Sequence, residues 1–218
     1  MQQSIVIFGA GGHGREVLQT ILEINRTEPR WRCLGFLVDL AYLPLNPVHG
    51  LPVLGSMDWL SGRPDVAVSV AIGQPRERLD VVRRLSDLPN AHPALVHPRA
   101  WLGENISLGK GCIVFPGSIL TTDIVLGQHV HINSGCTVGH DCALGNFATL
   151  YQGVSLSGNS RLHEGVEVGT GARFIPGVEI GPWSVVGAGA VVVRSLPGNV
   201  TAVGVPARIV KNPAATKP

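Results

Sequence analysis

His140 and Asp141 sit side by side in Gly139-His140-Asp141-Cys142, a pairing that can move a proton. Imidazole titrates near neutral pH, so a histidine is the natural group to take a proton from an attacking nucleophile. A carboxylate that accepts a hydrogen bond from the other ring nitrogen fixes the tautomer and stabilises the imidazolium. Acyl transfer from a thioester to an amine needs little more than such a base, a donor for the oxyanion and positioning. A second constellation lies near the start of the chain. Gly9-Ala10-Gly11-Gly12-His13-Gly14 is a G-x-G-x-x-G turn between an apolar run, Ser4–Phe8, and a helical stretch, Arg15–Ile24, with Val17, Leu18, Ile21 and Leu22 on one face. Glycines there let backbone N–H groups approach a pyrophosphate at a helix N-terminus. His13 lies inside the turn, where its ring reaches past the pyrophosphate toward a sugar. Asp39 ends the run Leu34–Val38 and is placed to accept ribose or sugar hydroxyls.

Other reactive residues carry less. His49, His92 and His97 flank Pro or Gly in connecting segments, where a structural role is the ordinary one. Cys33, Cys112, Cys136 and Cys142 form no CxxC pair, and the chain reads as lacking a secretion signal, so they are expected to be reduced structural thiols. No serine sits in a G-x-S-x-G elbow, which leaves direct attack rather than an acyl-enzyme.

The elements that must hold these groups are legible in a repeat. Stepping by six from Leu102 to Val192 meets only aliphatic residues or Phe, and the position four further on is uncharged and mostly small throughout. Such a unit is a short strand plus a turn, and three units close a triangular coil whose apolar residues stack in register. The repeat predicts about five coils. Glycine often follows the aliphatic position, as at Gly103, Gly127, Gly139 and Gly169, and is expected to free the backbone for the corner. Cys112, Cys136 and Cys142 fall in the small inward slot, as compact hydrophobes. His129, His131, His140 and His163 fall outside both inward slots, so their rings are expected to face solvent or a neighbouring subunit. The register never slips, so any site is built from turn residues and neighbouring copies.

Before the repeat the texture is that of strands and helices. Val66–Ile72 reads as a further strand, closed by Gly73-Gln74-Pro75 before a helix from Arg76 to Leu85. The division expected is 1–95 for a Rossmann-like nucleotide-sugar domain and 96–218 for the solenoid with its tail. The first is half a dinucleotide fold, enough for one nucleotide. A net charge of +2 with 15% charged residues offers no basic stripe for nucleic acid. The longest apolar runs fall well short of the roughly 20 residues that span a bilayer, so a soluble cytoplasmic protein is expected.

The glycine turn Phe8–Gly14, the pairing of Asn133 with His140-Asp141 seven residues on, and the tail Val203-Gly204-Val205-Pro206-Ala207-Arg208 resemble the NeuD/PglD-type sugar acyltransferases of the hexapeptide-repeat superfamily. The resemblance spans essentially the whole chain. It implies a left-handed β-helix, a homotrimer and acetyl-CoA as acetyl donor, with no metal. It implies that His140 is the general base, that Asp141 tunes it and that Asn133 lines the active site. Gly11, Gly12, His13, Asp39, Ile72 and Gly73 would surround the nucleotide. Acetyl-CoA would lie between two subunits along Gly158, Thr170, Ala188, Gly204 and Arg208. Where some relatives carry a second histidine, this chain has Thr149. The acceptor implied is the amine of a UDP- or GDP-linked 4-amino-4,6-dideoxy sugar, with a sialic-acid hydroxyl as the alternative. The rival classes are a zinc carbonic anhydrase using His131, His140 and His163, a nicotinamide oxidoreductase, and a non-catalytic nucleotide-sugar-binding scaffold.

Overall fold

The computed structural model describes residues 2–40 and 47–211. The chain divides into two compact units, Met1–Pro98 and Arg99–Pro218. The first is a parallel sheet in the order β3-β2-β1-β4, from β1 (Gln3–Phe8), β2 (Trp31–Leu37), β3 (Val53–Gly55) and β4 (Ala67–Val70). Near-continuous apolar strands suit a parallel sheet covered on both faces, and Ile5, Val6, Ile7, Phe36 and Val68 are fully buried. Helix α1 (Gly12–Thr27) starts inside the glycine turn, three residues earlier than its apolar pattern predicts, and α2 (Pro75–Leu85) carries proline in its first turn, where a missing N–H costs nothing. On α1 the buried face is Val17, Leu18, Ile21 and Ile24, whereas Leu22 is exposed. Close contact dictates the fingerprint glycines: a Cβ on Gly14 would lie 1.9 Å from the Gly9 carbonyl oxygen.

The second unit is a β-solenoid. Strands of two or three residues pair in parallel with the strand one coil on, as Ile106 with Ile124, Val125 with Ala143 and Thr137 with Ser155. Thus 18 residues, three six-residue units, make one coil. Three sheets result: Ile106–Leu108 through Glu179–Ile180, Trp101–Leu102 through Val191–Val192, and Ile113–Val114 through Thr201–Val203, which Arg208–Lys211 joins antiparallel. The coil therefore continues past the last repeat unit and exceeds the five turns expected. Leu120, Ile132, Val138, Leu150, Leu156, Val168 and Val186 form its buried axis. Buried serines meet their hydrogen-bonding need locally: Ser118 Oγ donates to the Asn133 carbonyl at 2.8 Å and Ser184 Oγ to that of Pro197 at 2.8 Å. Among the described residues no helix is long and apolar enough to cross a membrane.

Two expectations about the corners are corrected. Gly103, Gly127, Gly139 and Gly169 are absent from the left-handed region; what they supply is clearance, since a Cβ on Gly139 would lie 2.5 Å from Gly158 N and one on Gly169 2.5 Å from Ala188 N. The left-handed residue comes two positions later, as at Asp141 (φ 59°) after Gly139. His129 and His131 do not face solvent, being 0% exposed; the His129 ring stacks on Phe147 with centroids 5.5 Å apart.

Candidate active site

His140 occupies the corner that follows strand Thr137–Val138. The backbone there is held by neighbouring coils: Gly139 N–H donates to Leu156 O at 2.8 Å, Asp141 N–H to Thr122 O at 3.2 Å, and Asn159 N–H to His140 O at 2.8 Å. On this fixed corner His140 Nδ1 and Asp141 Oδ2 are 2.7 Å apart, with both side chains more than half exposed. The tautomer that donates Nδ1–H to the carboxylate leaves the Nε2 lone pair able to accept a proton. The ring leans over Gly158 of the next coil, where a Cβ would lie 2.6 Å from Nε2. His163 forms a second histidine–carboxylate pair, but there Nε2 itself is bonded to Glu179. Among the described residues no three His, Cys, Asp or Glu side chains converge as a metal site.

Asn133 belongs to the preceding corner. It is buried, and its Nδ2 donates to Leu150 O at 2.8 Å; no described hydrogen bond links it to His140 or Asp141. Thr170 and Ala188 sit at that same corner, one and two coils further on than Gln152, with Gly171 N–H bonded to Gln152 O at 2.9 Å and Gly189 N–H to Thr170 O at 2.8 Å. Gly204 accepts from Val191 N–H at 3.0 Å, and Arg208 opens the exposed antiparallel strand. Burial holds Cys136 as a thiol, its pKa pushed up to about 11, and raises that of Cys142 as well.

In the first unit a cavity of ≈ 850 Å³ opens at the carboxyl ends of β1, β2 and β4, the place where open α/β sheets bind ligands. Gly11, Asp39 and Ile72 line it. The α1 N-terminus has no side-chain cap and no acid in its first turn, leaving its N–H groups for an anion. His13 Nδ1 lies 3.4 Å from Glu16 Oε2, a contact that holds the Glu16 carboxyl below the usual carboxylate range. Gly12, His13 and Gly73 are not among the lining residues, although Gly12 and His13 open α1 and Gly73 closes the turn after β4. That turn is fixed by the fully buried Arg78, whose Nη1 donates to Ile72 O at 2.7 Å and Gly73 O at 2.9 Å. Sequence reading missed the other wall, the face of α2 carrying Arg76, Glu77, Asp80 and Arg84. The spacing of these residues on one helical face was the available signal.

Residues 4–85 match the PglD N-terminal domain family, and residues 159–194 match six repeats of the bacterial transferase hexapeptide family. A GDP-perosamine N-acetyltransferase of Escherichia coli O157:H7 is 29% identical over 157 residues, 70% of this chain and 69% of that one. Among solved structures, the acetyltransferase domain of PglB from Neisseria gonorrhoeae FA1090 in complex with acetyl coenzyme A is similar with a TM-score of 0.88 and 30% identity, over 96% of this chain and 100% of that one. PerB from Caulobacter crescentus, in complex with CoA and GDP-perosamine, gives a TM-score of 0.84 at 34% identity, over 95% and 97% of the two chains. The fold, the two matched families and near-complete coverage by PerB agree: this chain belongs to the NeuD/PglD-type nucleotide-amino-sugar N-acetyltransferases of the hexapeptide-repeat class.

Proposed function

We propose that this protein moves the acetyl group of acetyl-CoA to the amine of a UDP- or GDP-linked 4-amino-4,6-dideoxy sugar by direct transfer. The observation that carries this reading is the His140–Asp141 dyad, with Nδ1 engaged and Nε2 presented at an exposed corner. The amine nitrogen attacks the thioester carbonyl carbon while His140 Nε2 takes its proton, and a backbone N–H of the solenoid turn supports the oxyanion. Collapse of the tetrahedral adduct breaks the C–S bond, and the imidazolium returns the proton to the CoA thiolate. Asp141 steadies the imidazolium in between. The buried thiols of Cys136 and Cys142, with raised pKa values, offer no competing nucleophile.

The active unit in this proposal is a homotrimer with sites between copies. His140 and Gly158 share one corner of the solenoid, whereas Asn133, Thr170 and Ala188 share the preceding one. Corners of one triangular coil point apart, so a donor touching both sets draws one corner from each of two chains, with Gly204 and Arg208 of the tail beside the second. The 1–95 unit holds the nucleotide through Gly11, Gly12, His13 and Asp39, with Ile72 on the cavity wall and Gly73 next to it in the turn after β4. Because acetyl-CoA is the donor, the cytoplasm is the compartment that suits the reaction.

Thiol release tests this with acetyl-CoA and GDP-perosamine, against a matched UDP-linked amino sugar. The expected result is turnover with one of them and double-reciprocal lines that intersect. Parallel lines, or an acetyl group trapped on the protein without sugar, overturn direct transfer.

A further inference from the structure

The cavity of the first unit carries an unusual charge arrangement. Arg84, on α2, donates Nη1–H to Asp39 Oδ1 at 2.8 Å and Nη2–H to Asp39 Oδ2 at 3.0 Å, and its Nε lies 3.2 Å from Asp80 Oδ2. Its guanidinium also lies 6.0 Å from the centroid of the Phe8 ring at the end of β1. One cation therefore ties the end of β2 to α2 at the carboxyl edge of the sheet and is shared between two carboxylates. All four residues line the cavity, as do Glu77 and Arg76. Three carboxylates there face two guanidinium groups, in a space that the proposed function fills with a diphosphate. Side-chain exposures of 37% for Arg84 and 39% for Asp39 mean that the bridge adds little to folding stability. Its consequence is felt by whatever enters the cavity.

A carboxylate free to rotate, and uncompensated, would repel a nucleoside diphosphate. Held edge-on by a planar guanidinium, the same carboxylate is fixed in orientation and its charge is offset. Each of its oxygens keeps acceptor capacity beyond the bond to Arg84, enough to receive hydroxyls. We infer that Arg84 is a positioning residue for nucleotide binding, which orients Asp39 toward the hydroxyls of a nucleoside diphosphate and cancels its charge beside the phosphates. The inference rests on the proposed nucleotide cavity and adds a residue and a physical role to it.

Calorimetric titration of the full chain with GDP, UDP and CoA tests this in the wild type, Arg84→Gln, Asp39→Asn and the double variant Arg84→Gln/Asp39→Asn. The tighter-binding nucleotide should lose roughly tenfold in affinity in Arg84→Gln, the size of one uncompensated like charge at a half-exposed site. The double variant should bind it more tightly than Arg84→Gln alone, because the stranded carboxylate is gone. Arg84→Lys, which keeps the charge and loses the fork, should fall between wild type and Arg84→Gln. CoA affinity should be the same in every variant, and an unchanged melting temperature establishes that the first unit, which carries the substitutions, is folded. Wild-type affinity in Arg84→Gln overturns the inference. So does a double variant as weak as Arg84→Gln, since Arg84 would then contact phosphate itself. A wild type that takes up neither GDP nor UDP overturns the nucleotide reading of the cavity, a result distinct from the other two.

Discussion

Two corners of the solenoid share one backbone and differ in what they display. Along the corner of His140 the left-handed position is held in successive coils by Asn105, Asp123, Asp141, Asn159 and Gly177; along the corner of Asn133 it is held by Gly117, Gly135, Gly153, Gly171 and Gly189. All ten have φ between 54° and 75°. Asn and Asp are the non-glycine residues that enter this region at least cost, because a short polar side chain bonds locally. Asn105 Nδ2 does so to Asp123 Oδ1 at 2.9 Å. The backbone requirement is therefore met by either residue type, and the choice of side chain is free to follow function. One corner presents a carboxylate to an imidazole. The other is bare at this position in every coil, with open space above Gly135, Gly153, Gly171 and Gly189.

Removing what the polar corner presents should give the largest effect. His140→Ala is expected to lower kcat by roughly 10²- to 10⁴-fold with modest change in either KM, the range for losing a general base. Asp141→Asn should cost less, since in the proposed mechanism it orients the base without touching substrate. Next in size is Gly158→Ala. Its backbone lies outside the left-handed region, so the added methyl strains only the His140 ring, 2.6 Å from where the Cβ would stand. Displacing the base should lower kcat by roughly 10- to 100-fold. Added to His140→Ala, the same change should cost almost nothing further, and a full additive loss would show that Gly158 acts apart from the ring. Gly12→Val comes third: it should raise KM for the nucleotide sugar severalfold and spare that for acetyl-CoA, because only the phosphate turn loses close backbone approach. Equal damage to both constants would place the two ligands in one region.

The period of six was readable because a solenoid has no other way to bury its axis; Leu120, Val138 and Leu156 must each point inward. The glycine turn was readable for the same reason, since Gly14 admits no side chain beside Gly9. What periodicity leaves out is the environment of the outward positions. His129 and His131 lie outside the inward slots and are nonetheless fully buried. Gly139 looked like a corner residue, whereas the left-handed turn falls on Asp141 and Gly139 is there for clearance. For α2 the sequence predicts a helix from Arg76 to Leu85 and assigns none of its polar residues to a site. Its partner Asp39 lies 45 residues from Arg84, a separation that local pattern cannot bridge.

The smallest effect separates the two corners most directly. Gly171 on the bare corner and Gly177 on the polar corner have nearly the same backbone, φ 70° and 75°, and neither has any atom within 4 Å of where a Cβ would stand. Replacing each by Asn, the residue already at Asn105 and Asn159, should therefore cost each variant the same few tenths of a kcal/mol in stability. Melting temperature checks that the two are matched. If the bare corner is open because the CoA chain lies along it beside Thr170 and Ala188, Gly171→Asn should raise KM for acetyl-CoA a few-fold, while Gly177→Asn leaves it unchanged. Both variants should keep the wild-type KM for the nucleotide sugar. An equal response of the two variants in acetyl-CoA KM would mean that the glycine column is a feature of coil stacking alone, and would remove Thr170 and Ala188 from the donor site.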